Sequence, residues 1–135
     1  VLRNDEIQAA IVAYAKGKTD ITDELPAGAE EIREDFWQGR EFTYPNIRVR
    51  LISNTPQDPE CNLHRVTLSF MVFSEEASSQ QADRIAGIIN NTLHGMSFSS
   101  NNISFSTRAT NLIPAIRISE RTWRAEALME ANVSG

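Results

Sequence analysis

One cysteine, Cys61, stands in 135 residues. A single thiol excludes an internal disulfide and fits a reducing compartment, and a free thiol of this kind is ordinarily inert. Glycine is sparse and scattered. Gly28, Gly39, Gly87 and Gly95 are isolated, so no glycine-rich phosphate loop exists. No apolar run is long enough to span a bilayer, which argues against a membrane protein, and the start VLRNDEIQ carries no signal-peptide pattern. Positive charge is in deficit, with 13 Lys and Arg against 18 Asp and Glu and a formal net charge of −5. That balance excludes general attraction to DNA or anionic lipid while leaving room for local basic patches. Histidine is scarce too. His64 and His94 lie far apart, and His64 with Cys61, Asp58 and Glu60 falls on one proline-broken segment without a metal-ligand spacing. No metal or cofactor is expected.

What is present suits one folded domain spanning 1–135. The apolar share of 41% and charged share of 23% are ordinary for a soluble globular chain with a real core. The clearest stretch is VTLSFMVFSEEASSQQADRIAGIINNTLHG, residues 66–95. Val66, Leu68, Phe70 and Val72 share one strand face, opposite Thr67, Ser69, Met71 and Phe73. A helix follows, with Ala82, Ile85, Ala86, Ile89 and Leu93 in one stripe. Ser78 with Gln81 fits a capping box, and Gly95 suits the left-handed position after the helix. His94 beside that glycine would meet the negative end of the helix dipole.

Elsewhere the signals are shorter. Asn4 reads as an N-cap, followed by Asp5 and Glu6 and by Ile7, Ala10, Ile11 and Tyr14 at helical spacing, with Gly17 as the stop. Residues 18–45 read as a long excursion with a short helical turn near 30–35; connections this long are usually functional or mobile. Residues 46–53 alternate, with Ile47, Val49 and Leu51 against Arg48 and Arg50. NTPQDPECN reads as a loop, on the strength of Pro56 and Pro59. Residues 99–102 form a turn, 103–110 a strand, and 111–116 a loop or an edge because of Pro114. The segment 118–132 alternates Trp123, Ala125, Ala127, Met129 and Ala131 against Arg124, Glu126, Leu128 and Glu130, and a strand is preferred to a helix there. The expected fold is α+β: a four-stranded, mostly antiparallel or mixed sheet with two helices packed on one face, plus long loops.

No catalytic signature emerges. Cys61 and His64 could in principle form a thiol–imidazole pair, but both fall on an expected loop rather than on separate rigid elements. Ser78 and Ser79 at a helix start could hold an anion, although capping alone accounts for them. Arg48, Arg50, Arg65, Arg117, Arg121 and Arg124 flank strands. They read either as phosphate contacts or as ion-pair partners for the more numerous carboxylates, and the net charge favours the second reading. The most interface-like segment is FWQGREFTYP. Its Phe36, Trp37, Arg40, Phe42 and Tyr44, with Arg48 and Arg50 on the following strand, are the candidate contact residues for a subunit or partner. The same aromatics could instead cover a sheet edge.

Taken in order, an N-terminal helix, a long excursion, YPNIRVRLIS, then RVTLSFMVFSEEASSQQADRIAGIINNTLHG and a closing RTWRAEALMEANV resemble the tail terminator (tail-completion) proteins of long-tailed bacteriophages, the lambda-type group. The resemblance spans roughly the whole chain and is one of element pattern. It implies a non-enzymatic virion protein of the tail or neck, assembled in the host cytoplasm. It implies a homo-oligomeric ring, usually of six copies, that caps the tail tube, stops its polymerisation and joins it to the head connector or stopper protein. Genomic DNA would pass through the lumen without sequence-specific binding, and the acidic balance would limit its adhesion. The competing readings are a head–tail stopper or adaptor, a tail-tube subunit, a small enzyme using Cys61 or His64, and a nucleic-acid-binding module.

Overall fold

In the computed structural model, residues 2–26, 28–34, 43–58, 60 and 63–135 are described. Helix α1 (Asn4–Lys16) forms where Ile7, Ala10, Ile11 and Ala15 recur at helical steps, and all four are buried. Asn4 is its first helical residue rather than its cap. The Arg3 backbone N–H donates to Glu6 Oε1 at 3.4 Å, and the Arg3 guanidinium donates to Asp5 at 3.0 Å. That hydrogen bond holds the exposed Asp5 carboxyl below its ordinary range. Part of the expected excursion is regular structure: α2 (Thr19–Thr22), a 3-10 turn (Gly28–Glu31) and β1 (Ile32–Glu34).

The two long strands that follow, β2 (Asn46–Asp58) and β3 (Leu63–Ser74), pair antiparallel. β2 runs through the predicted break. Pro56 is tolerated because the register shifts between Pro56 and Asp58, so its missing N–H falls at an irregularity of the ladder. Helix α3 (Gln80–Leu93) buries the whole predicted stripe. The Ser78–Gln81 capping box does not form. Gln81 Oε1 instead accepts the Ser74 hydroxyl at 2.6 Å, which ties the helix start to the end of β3. Gly95 has φ +69°, the left-handed conformation that glycine adopts without cost.

The chain ends in β4 (Ser97–Ser100), β5 (Ile103–Arg117) and β6 (Trp123–Ser134). Asn101 and Asn102 both have positive φ, 51° and 64°, as a two-residue hairpin turn between β4 and β5 requires. β5 continues through the segment expected to be a loop or an edge. Its register shifts between Ala109 and Asn111 and again between Ile113 and Ile116, so Pro114 lies within an irregular stretch.

The sheet has six strands in the order β1-β2-β3-β6-β5-β4 and is curled; β1 pairs parallel with β2, and the other pairs are antiparallel. This overturns the expected four-stranded sheet with two helices on one face. β1 and β4 have three and four residues, too few for alternation to be visible. Helix α1 contacts β1, β2 and β4, so both sheet edges come to the same helix. The Tyr14, Phe98 and Phe105 rings stack in succession, and Ser100 Oγ donates to the Ala10 carbonyl at 2.7 Å. Edge strands held in this way are removed as templates for stray pairing. Helix α3 packs on β3, β5 and β6.

The buried apolar residues form one cluster. Cross-strand register aligns Ile47 with Val72 and Ala125, Val49 with Phe70 and Ala127, and Leu68 with Met129. Full burial of each large side chain contributes about 1.5–3 kcal/mol before conformational entropy is charged against it.

Candidate functional site

Strand alternation sends a second set of side chains to the face away from this core. Two rows run across it. One aligns Arg50, Ser69, Leu128 and Asn111; another aligns Arg48, Met71, Glu126 and Ile113. Glu126 accepts the Ser69 hydroxyl at 3.2 Å and pairs with Arg124 at 3.6 Å. Glu130 lies between two arginines, with Arg108 at 2.9 Å and Arg65 at 3.4 Å. Arg65 and Arg124 are therefore held in ion pairs, as the ion-pair reading of the arginines anticipated. A shallow cavity of about 400 Å³ opens on this face, lined among others by Arg65, Arg108, Glu130 and His94.

The predicted contact residues divide. Phe36, Trp37, Arg40 and Phe42 lie outside the described residues, as does Cys61. Tyr44 is exposed and, with Glu75, Glu76 and Gln81, borders an open groove; its bond to Pro45 is cis. Arg50 is exposed and makes no ion pair among the described residues. Arg48 parts company with it. Arg48 is only 6% exposed, and its Nη1 donates to the Ile47 carbonyl at 3.1 Å and the Glu31 carbonyl at 3.5 Å. Alternation places Arg48 on the outer face, but its guanidinium reaches backbone oxygens around the start of β1.

His64 sits in β3, not on a loop, and is 1% exposed. Its Nδ1–H donates to Asn54 Oδ1 at 2.7 Å, and its Nε2 accepts the Leu2 backbone N–H at 3.4 Å. Both ring nitrogens are thus engaged in hydrogen bonds within the fold. His94 is exposed, and its Nδ1 accepts the Ala109 backbone N–H at 2.9 Å. Asp83 does the same for the Ala115 N–H at 2.8 Å. Helix α3 thereby caps donors along β5 with side chains from both of its ends. Among the described residues no group of three or more His, Cys, Asp or Glu side chains is placed to hold a metal ion. No helix there is long and apolar enough to cross a membrane.

Sequence reading missed the outer arm of β5. Leu112, Ile116 and Ile118 are 44%, 50% and 43% exposed. Leu112 pairs with the inward Ala127 and Ile116 with the outward Arg124, so the arm shows apolar side chains on both faces. A groove of about 290 Å³ runs between it and α3, bordered by Asp83, Ala86, Leu112, Ile113 and Pro114. The signal was present in NLIPAIRI, which is too apolar for a solvated loop.

No protein-family profile matches the chain, and no curated protein matches it in sequence. Solved structures do match. One is a chain of the virion of a native gene transfer agent particle, at 14% identity and a TM-score of 0.71, covering 96% of this chain and 95% of that one. A second solved chain matches at 13% identity and a TM-score of 0.64, covering 98% and 96%. At these identities the likeness is one of fold, and it runs nearly end to end in both molecules.

Proposed function

We propose that this chain is a structural virion protein, and specifically a ring-forming tail terminator that caps the tail tube, stops its growth and joins the tail to the head connector. The observation that carries the reading is the end-to-end fold match with a virion chain of a gene transfer agent particle. The element pattern that resembles tail-completion proteins supports the finer assignment. The described surface is consistent with a role played through shape. Its large features are a sheet face carrying ion pairs centred on Glu126 and Glu130 and an exposed apolar arm, and its buried histidine is occupied by structural hydrogen bonds.

In this reading the partners are further copies of the chain in a ring, six by the family resemblance, together with the tail-tube protein and a head–tail connector or stopper. Genomic DNA crosses the lumen without base-specific contact. The acidic formal charge of −5 per copy works against phosphate adhesion. Phe36, Trp37, Arg40, Phe42, Tyr44 and Arg50 remain the proposed partner-contact residues; Arg48 is buried and leaves that set.

Electron microscopy of particles made without the protein tests the assignment. Tails of uncontrolled length, unjoined to filled heads, are expected. Tails of normal length on filled heads would overturn it. Purified protein that polymerises into tubes on its own would instead mark a tube subunit.

A further inference from the structure

The cavity on the open sheet face carries more hydrogen-bond donors than the fold uses. Two cross-strand rows build it: Arg65, Asn132 and Ser106 align in one, and Thr67, Glu130 and Arg108 in the next. The junction of α3 and β4 supplies its rim. Gly95 donates to the Thr107 carbonyl and Met96 accepts the Thr107 N–H, so two residues oppose one, and this bulge sets His94 against the edge of β5. His94 Nδ1 accepts the Ala109 N–H, so the ring proton is on Nε2. Glu130 is the only carboxylate among the described lining residues. Its Oε1 takes Arg65 Nε at 3.4 Å and its Oε2 takes Arg108 Nη2 at 2.9 Å. Each guanidinium carries five N–H donors, so most of them are left over. Two guanidiniums against one carboxylate leave one net positive charge. The Ser106 and Asn132 side chains make no hydrogen bond among the described residues. Nearby carboxylates are engaged elsewhere, Glu126 with Arg124 and Ser69, and Asp58 with the Glu60 N–H; none of these three acids lines the cavity.

We propose that this cavity binds a phosphate group, with Arg65 and Arg108 as its charged donors and His94, Ser106 and Asn132 as neutral ones. A planar guanidinium fork matches two phosphate oxygens at once, and two such forks are tethered here to one shared carboxylate. The volume of about 400 Å³ admits the phosphate and part of the molecule that carries it. No aromatic ring is among the described lining residues, so no platform exists for a stacked base and recognition stops at the phosphate. The chain as a whole is acidic, at −5, and gives such a ligand no long-range attraction. Binding is therefore a short-range property of this one spot. The same chemistry is offered by a small soluble phosphate and by the backbone of a nucleic acid. The site does not depend on the ring reading above.

Titration with inorganic phosphate at constant ionic strength tests it, read by calorimetry and by the Nε–H signals of Arg65 and Arg108 in nitrogen-edited NMR. Saturable binding that moves both signals is expected. Arg65→Gln and Arg108→Gln should each weaken it about tenfold, the loss of one charge-assisted contact. Glu130→Gln should tighten it by about the same factor, because a competing charge leaves. Arg121→Gln, in the turn before β6, should leave it unchanged. Circular dichroism and thermal melting establish that the variants fold. No saturable response in the millimolar range overturns the site, as does a response that folded Arg65→Gln and Arg108→Gln proteins retain in full. Duplex DNA added to the phosphate-bound protein separates the two sources. DNA that displaces phosphate and moves the same two signals assigns the site to a phosphodiester backbone; phosphate that stays bound assigns it to a small soluble ligand. Tail completion in particles carrying the arginine variants is scored separately, so loss of the phosphate site and loss of the virion role are distinguishable.

Discussion

The ring of Tyr14 on α1 lies 3.5 Å from that of Phe98 on β4, with the two planes within 2° of parallel. The pair fastens the helix that starts beside β2 to the strand at the far edge of the sheet. Phe98 is half-buried, so its truncation should cost less than the 3–5 kcal/mol typical of a fully buried Phe. A loss of about 2 kcal/mol is expected for Phe98→Ala in urea denaturation. Backbone amide exchange should rise in β4 and the first turns of β5 more than in β2 and β3.

His64 links three segments. It donates to Asn54, whose Nδ2 in turn donates to Asn4 Oδ1 at 2.8 Å, and it accepts from the Leu2 backbone. His64→Ala should destabilise the fold by about 2–4 kcal/mol, combining a cavity with unpaired polar groups. Asn54→Ala, which leaves the buried His64 Nδ1 without its partner, should cost about 1–3 kcal/mol. A His64 variant as stable as wild type by chemical denaturation would contradict this structural role.

Glu130 neutralises Arg65 and Arg108 on the open sheet face. The pairs are largely exposed, so Glu130→Gln should change stability by less than about 1 kcal/mol. Its effect should appear in binding instead. With two guanidinium groups released, fluorescence anisotropy should detect salt-sensitive association with duplex DNA, its log–log salt slope steeper than wild type by about 1–2. An unchanged slope would mean that these arginines do not reach a phosphate backbone.

Asn101 and Asn102 hold left-handed conformations at the β4–β5 turn. Asparagine tolerates this better than a branched residue does. Asn101→Val should lose about 1–2 kcal/mol, the left-handed penalty for an ordinary residue, while Asn102→Gly should be neutral or slightly stabilising. Thermal melting of both variants checks the contrast.

Much of this architecture can be read from period alone. The α1 and α3 stripes are buried as their spacing predicts, and the Ala125, Ala127, Met129 and Ala131 row decides between strand and helix for β6 because only alternation puts all four on one side. The failures share a physical cause. Pro56 and Pro114 look like breaks, but a strand accommodates proline wherever its ladder is already irregular. That extension of β2 and β3 moved His64 from an expected loop into the core. β1 and β4 are too short for alternation to register, and part of what holds β4, the Tyr14 ring and the Ala10 carbonyl of α1, lies far away in the sequence. Arg48 is buried because its long side chain finds carbonyls near β1, and alternation specifies only the side from which it starts. Pro114 left residues 111–116 open between a loop and an edge, and they form a strand paired with β6 alone.

β6 is synthesised after β3 and β5 yet inserts between them. On a ribosome, the nascent chain must therefore hold both neighbours with vacant ladders until the central strand emerges. Sticky intermediates belong to that interval, and chaperone demand during expression should ease once residues 123–134 leave the exit tunnel.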